Sequence, residues 1–294
     1  MGYSGRYHAA SLAAVFLALA IGILIGVGLG GTVDSATEDL ENSLKSDLAN
    51  SRSEVESLQD QLGQERDFSQ AAYPGLVDNL LRGDRVAVVA LGGLPGEMKG
   101  DVDAVLGDNS PTGATLGEFA VVREPPDTGA LGGVLKGNRY RGSGDRLSAL
   151  AGDAGRALVT GGALFDRIRD SLLDRVSGRP GGIDAVVVVR DRPGDLGKAR
   201  GDATDRLEEG LLAGIERVPD LAVVGVERSD TDSSQIAFFD AHDVSATVDD
   251  VDRVPGRVAL AYALRGAQGN FGVKDTADRL LPALRRPAAT RAHG

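Results

Sequence analysis

One long apolar run near the amino terminus dominates the hydropathy pattern. Residues 9–31 are almost wholly apolar, and no charged residue occurs between Arg6 and Asp34. A helix of about 20 apolar residues crosses a bilayer core, whereas the apolar core of a cleaved secretory signal has roughly 7 to 15 residues. The pattern predicts an uncleaved transmembrane helix over residues 9–31 after a cytoplasmic amino terminus, residues 1–8. A cleaved signal is the main alternative.

The next segment is polar and carries apolar positions at heptad spacing. Residues 34–67 contain no proline and only Gly63 as a residue that weakens a helix. Five of the six positions in the seam are apolar: Leu44, Leu48, Ser51, Val55, Leu58 and Leu62. Alternating steps of four and three are typical of a two-stranded coiled coil. We therefore predict a coiled-coil stalk over residues 32–68, with a solvated helix lying on the following domain as the alternative.

Small residues form a second pattern inside the apolar run. They recur at every fourth position: Ala10, Ala14, Ala18, Gly22, Gly26 and Gly30. This spacing lets two membrane helices approach closely, although alanine and glycine are abundant throughout the chain. Together with the heptad seam, it predicts a homo-oligomer that associates through both the stalk and the span.

After the stalk, short apolar runs alternate with helical patterns. The runs are continuous, as in buried parallel strands, and cover residues 85–91, 186–189 and 221–227. Helices are expected over residues 76–82, 98–106, 146–158, 164–176 and 203–215, and residues 258–264 are expected to add a strand or core segment. This alternation predicts a three-layer α/β domain with a mostly parallel sheet. We place it over residues 69–284, followed by a disordered tail over residues 285–294.

Charge and composition restrict the partners. The net charge is −11, and there is no cysteine, so disulfides and thiolate metal sites are excluded. An acidic body repels nucleic acid and attracts cations, so no nucleic-acid partner is expected. Arg6 precedes the apolar run, whereas the first charges after it are acidic. Because basic flanks stay in the cytoplasm, the body is expected to lie outside the cytoplasmic membrane.

The densest polar stretch is FDAHDVSATVDDVDRVPG, residues 239–256. Its oxygen and imidazole groups could bind a divalent cation, and the candidate ligands are His242, Asp243, Asp249, Asp250 and Asp252. The order D-x-D-x-D-G of a calcium loop is absent. In the alternative that we prefer, Thr247 and the aspartates satisfy the amine terminus of a helix or turn.

Signs of catalysis are weak. Gly92, Gly93 and Gly96 follow the first strand and form part of a phosphate-loop pattern, but the G-x-G opening is absent and a tight turn between strand and helix is preferred. No G-x-S-x-G elbow occurs, and His242 is the single histidine of the predicted domain. We therefore expect neither enzymatic activity nor a cofactor.

Several segments together resemble the actinobacterial copper transport protein family of the MctB type. They are RYHAASLAAVFLALAIGILIG at residues 6–26, the heptad stalk, VSATVDDVD, GRVALAYAL and GNFGVKDTADRLLP. The resemblance implies a membrane protein of the cell envelope or outer membrane that serves copper efflux and tolerance, with the copper ion as transported substrate. An envelope scaffold or ligand-sensing module without transport activity is the alternative.

Overall fold

The computed structural model describes residues 4–136, 140 and 145–285, with residues 4–10 and 29–39 described in backbone only. The start of the predicted cytoplasmic segment and residues 286–294 of the predicted tail lie outside the described residues. The contacts divide the chain into two compact units, Met1–Asp67 and Phe68–Gly294.

One continuous helix, α1, runs through Ser4–Val77, and its residues up to Asp67 form the described part of the first unit. Its stretch Ser11–Gly28 is long and apolar enough to cross a membrane. Further along the helix, the five apolar side chains of the heptad seam are each more than half exposed: Leu44, Leu48, Val55, Leu58 and Leu62. The apolar helix of the sequence analysis is confirmed, and the coiled coil stays a prediction.

The end of α1 differs from the prediction. Pro74 does not end the helix, and the separate helix expected over residues 76–82 is wrong, since turns follow Val77. Tyr73 packs on the core of the second unit, and Val77 is fully buried in it. This packing holds the last helical turn, even though proline lacks the backbone N–H that a helix interior uses.

The second unit is built on a seven-stranded sheet in the order β3-β2-β1-β4-β5-β6-β7. All neighbouring strands are parallel except β3, which pairs antiparallel with β2 at one edge. The strands are β1 Arg85–Gly92, β2 Thr115–Val122, β3 Leu173–Gly178, β4 Ala185–Asp191, β5 Ala222–Val226, β6 Ala246–Val248 and β7 Gly269–Phe271.

Helices cover both faces of this sheet. They are α2 Gly96–Leu106, α3 Gly132–Leu135, α4 Arg146–Thr160, α5 Ala163–Leu172, α6 Gly197–Glu216, α7 Ile236–Asp240 and α8 Val254–Leu264. One core cluster joins one face of the sheet to α2, α8 and the end of α1. The other joins the opposite face to α4, α5, α6 and α7. The predicted α/β architecture with a mostly parallel sheet is thereby confirmed.

Two elements differ from their predicted form. The helix expected over residues 164–176 ends at Leu172, because the next residues pair with β2 as the edge strand β3. Residues 258–264 belong to the buried helix α8, so the core segment is confirmed and the strand is wrong. An all-apolar run has no period that separates strand from helix, whereas Pro255 in the first turn is a helix signal.

Candidate functional site

The carboxyl ends of the six parallel strands meet at one edge of the sheet, where open α/β folds place their ligands. The segment TVDDVD begins in β6 and crosses this edge. Asp249, which directly follows β6, is buried. Its carboxylate accepts hydrogen bonds from the backbone N–H groups of Val273, at 2.7 Å, and Lys274, at 3.1 Å. Asp249 therefore fixes the turn that follows β7.

Asp252 fixes the turn after β5 in the same way. Its carboxylate accepts the Ser229 backbone N–H at 2.6 Å and the Ser229 hydroxyl at 2.8 Å. The turn-capping interpretation of the sequence is thus confirmed for Asp249 and Asp252. It is wrong for Thr247, which lies inside β6 and donates its hydroxyl to the Asn270 side-chain oxygen at 2.9 Å.

Asp250 is the member of this segment whose carboxyl group has no hydrogen-bond partner among the described residues. It is fully buried beside the first turn of α8, where a Cβ added to Gly256 would lie 2.5 Å from its Oδ1. Burial, followed by the charges of Asp249 and Asp252, raises the pKa of Asp250 to about 7. The group therefore titrates near neutrality.

His242 and Asp243 lie in the turn between α7 and β6, away from these contacts. His242 Nδ1 is 2.7 Å from the Phe238 carbonyl oxygen, and the imidazole packs on the Phe238 ring with centroids 4.6 Å apart. Asp243 takes a positive φ of 51° within the turn. The described residues contain no group of three histidine or carboxylate side chains placed to hold a metal ion. The five candidate ligands are thus not brought together.

Most charges at this edge are paired with one another. Arg228, just after β5, contacts Asp101 on α2 and bonds Asp230 at 3.0 Å, while Arg257 on α8 reaches Asp101 at 2.9 Å. The side-chain hydrogen bond with Asp230 and the neighbouring carboxylates raise the pKa of Arg228 above its ordinary value. These bonds join strand ends to helices on one face of the sheet, so the charges hold the edge together.

A carboxyl pair that sequence reasoning missed lies between the ends of β2 and β4. Glu208 of α6 is fully buried and accepts two hydrogen bonds from Arg190, at 3.0 and 2.8 Å. Glu124 has both carboxyl oxygens buried without a partner among the described residues. Burial and the charge of Glu208 raise the pKa of Glu124 to about 8. No sequence signal reveals this pair, because residues 124 and 208 meet only through the sheet.

Gly92 and Gly93, at the end of β1, form a tight turn next to Glu124. The Gly93 N–H donates to the Asp191 carbonyl at 2.9 Å, and a Cβ at Gly92 would lie 2.4 Å from that same oxygen. Gly92 also has a positive φ of 81°. Glycine is required here by close backbone approach and by the left-handed conformation. Both requirements favour the tight turn over the phosphate loop.

Comparison with known families places this fold in context. The family model described as copper transport outer membrane protein, MctB, matches residues 3–121 and 131–282. The chain belongs to the MctB family. The match includes the apolar helix, the heptad segment and nearly all of the α/β domain. Both units of the chain therefore match the MctB family model. No curated protein and no solved structure matches the chain.

Proposed function

We propose that this MctB-family chain is a membrane-anchored copper homeostasis protein with a non-catalytic domain outside the cytoplasmic membrane. The carrying observation is the family match, which includes both the membrane-length helix and the α/β domain. Arg6, which precedes the apolar run, supports the orientation, because basic flanking residues stay in the cytoplasm. The turn-capping bonds of Asp249 and Asp252 and the ion pairs of Arg228 and Arg257 support a structural role for most of the charged groups at the carboxyl ends of the strands.

The copper ion enters this proposal as cargo. Cu(I) prefers thiolate, thioether and imidazole ligands, and the chain has no cysteine. Met98 lies on the buried face of α2, in the core. His242 has one ring nitrogen bonded to a backbone carbonyl. We therefore propose that the domain holds no tight Cu(I) site and that copper tolerance arises through passage, partners or the integrity of the envelope.

We further propose that the chain works as a homo-oligomer joined through its heptad seam. The seam side chains are exposed on α1, and α1 continues through the apolar stretch Ser11–Gly28. If copies share one membrane, their helices run parallel, which suits the heptad register. The small-residue stripe would then lie along the same pair of helices.

Growth of a deletion strain on graded copper tests the function. The strain should show a copper-dependent growth defect that the intact gene reverses. A version with residues 1–31 replaced by a cleavable secretory signal should fail to reverse it, because the domain would be released. A growth defect of equal size without added copper would contradict copper homeostasis and support the envelope scaffold.

A further inference from the structure

A cleft with cationic walls lies beside the edge strand β7, which pairs with the strand β6 where the TVDDVD segment begins. It is formed where α8 ends and β7 begins, together with residues 279–285, and its volume is about 400 Å³. Ligand pockets are commonly about 300–1,000 Å³. Three arginines and three apolar side chains are prominent in its lining: Tyr262, Arg265, Phe271, Arg279, Pro282 and Arg285.

Arg265 is anchored through one nitrogen of its guanidinium group. Its Nη1 donates to both carboxylate oxygens of Asp84, at 3.0 and 2.9 Å, in the loop before β1. The side chain is three-quarters buried, being 25% exposed. Among the described residues its Nε and Nη2 have no hydrogen-bond partner. An arginine that is anchored in this way presents its remaining donors at a fixed position.

Arg279 is positioned by the backbone. The segment that carries it bridges to β7 at Phe271, and the Gly272 N–H donates to the Arg279 carbonyl at 3.1 Å. The guanidinium lies 6.0 Å from the centroid of the buried Phe271 ring. Neither Arg279 nor Arg285 forms an ion pair with a carboxylate among the described residues. Both guanidinium groups are exposed and open to an external anion.

The charge of this cleft is opposite to that of the chain. The chain carries a net charge of −11, and at the carboxyl edge the arginines are bonded to carboxylates. In the cleft three guanidinium groups face one bonded carboxylate, Asp84, within the described part of the chain. Guanidinium binds carboxylate and phosphate oxygens through paired hydrogen bonds. The apolar walls suit a ligand that also has a hydrocarbon part.

We propose that this cleft is a binding site for a small organic anion that carries a carboxylate or phosphate group. Arg279 and the free donors of Arg265 bind the anionic group, and Phe271, Tyr262 and Pro282 contact the remainder. The lining contains none of the candidate metal ligands, and the nearest of them, Asp249, is joined to the cleft through its backbone N–H, which donates to the Phe271 carbonyl at 3.1 Å.

Titration calorimetry on the full chain in neutral detergent tests this site, with citrate and inorganic phosphate as the two probes. We expect saturable binding of at least one probe at millimolar concentration. Arg279→Ala should weaken it about tenfold or more, since a charge-assisted hydrogen bond contributes about 1.5–3 kcal/mol. Binding of citrate alone identifies a carboxylate site, and binding of phosphate alone identifies a phosphate site.

Arg175→Ala is the matched control, because Arg175 is an exposed arginine on β3 at the far edge of the same sheet. It removes the same charge and should leave the affinity unchanged. Arg279→Lys should recover only part of the affinity, since lysine lacks the planar fork of arginine. Absence of binding for both probes, or equal losses in Arg175→Ala and Arg279→Ala, would overturn the proposal. Circular dichroism confirms that each variant is folded.

Discussion

Glu118 is a carboxyl group buried in the core with no hydrogen-bond partner among the described residues. It lies in β2, and its neighbours across the sheet are Ala87 and Gly178, neither of which has a polar side chain. Burial raises the pKa of Glu118 to about 7. The folded domain therefore binds this proton more tightly than the unfolded chain does.

Replacing Glu118 with glutamine should make the domain less sensitive to pH. In the native protein, the stabilisation from the protonated carboxyl is complete below about pH 4.5 and is lost as the pH rises through about 7. Glu118→Gln should therefore raise the free energy of unfolding at pH 8 by about 1–3 kcal/mol and change it little at pH 4.5. Urea denaturation at both pH values measures the difference. Glu209→Gln, on the exposed side of α6, should show no such pattern.

A second expectation at the residue scale concerns copper. Competition against a chromogenic Cu(I) chelator should show that the full chain has no stoichiometric tight site, because Met98 is buried and His242 is tied to a backbone carbonyl. His242→Ala should leave the competition curve unchanged. Tight binding of one Cu(I) per chain that disappears in His242→Ala would make residues 239–252 the functional site instead.

The roles of some side chains could be predicted from the sequence, whereas those of the buried glutamates could not. Asp249 and Asp252 lie in a dense polar stretch, so their role in capping turns could be inferred from local chemistry. Glu124 and Glu208 meet only because β2, β4 and α6 converge, and no local pattern indicates this. The buried state of Glu118 is equally invisible, since a carboxylate inside an apolar strand predicts an exposed position.

The packing of α4 against α6 depends on glycines that let the two backbones touch. A Cβ at Gly155 would lie 2.0 Å from the Leu211 carbonyl oxygen, and one at Gly214 would lie 2.0 Å from the Gly152 carbonyl oxygen. Glycine is therefore required at these positions by the packing of α4 on α6.

Gly155→Ala should destabilise the domain by about 1–3 kcal/mol, because the added methyl group forces the helices apart. Gly100→Ala is the control, since Gly100 lies in α2 with open space around its Cα. Alanine there should be neutral or stabilise by up to about 1 kcal/mol. Thermal denaturation followed by circular dichroism compares the variants, and equal melting temperatures would show that α4 and α6 adjust freely.

The heptad seam makes a prediction for the first unit. Replacing Leu48, Val55 and Leu58 with aspartate puts like charges along the seam and should dissociate a chain that begins at Thr32 into monomers. Sedimentation equilibrium measures the mass. The matched control places the same three charges on the opposite helix face, by changing Asn50, Ser53 and Ser57 to aspartate, and should keep the oligomer. Equal masses for both triple variants would leave the segment as a solvated helix.

Elements with a long apolar run or an amphipathic pattern were predictable, and those that depend on a neighbouring strand were not. The buried strands β1 and β4 stand out as apolar runs, and the amphipathic pattern of α6 is clear. By contrast, β3 is mostly exposed and exists because β2 provides an edge to pair with. The strands β6 and β7 have three residues each, too short for any period.

At the scale of the whole molecule, the apolar stretch Ser11–Gly28 of α1 leads to a prediction about membrane topology. Reporter enzymes fused after Gly2 and after Gly294 should show the amino terminus inside the cytoplasm and the carboxyl terminus outside, because Arg6 precedes this stretch and no basic residue follows it until Lys45. A carboxyl-terminal reporter active in the cytoplasm would reverse this orientation. Amino-terminal sequencing that starts near Thr32 would identify a cleaved signal.

The strand order also affects how the protein is made. The first strand to be synthesised, β1, lies inside the sheet between β2 and β4, and the second of these partners is complete only at Asp191. Until then a growing chain carries an apolar strand with one open edge, a state that favours aggregation. Biogenesis of this domain therefore depends on keeping residues 85–92 protected while the following hundred or so residues emerge.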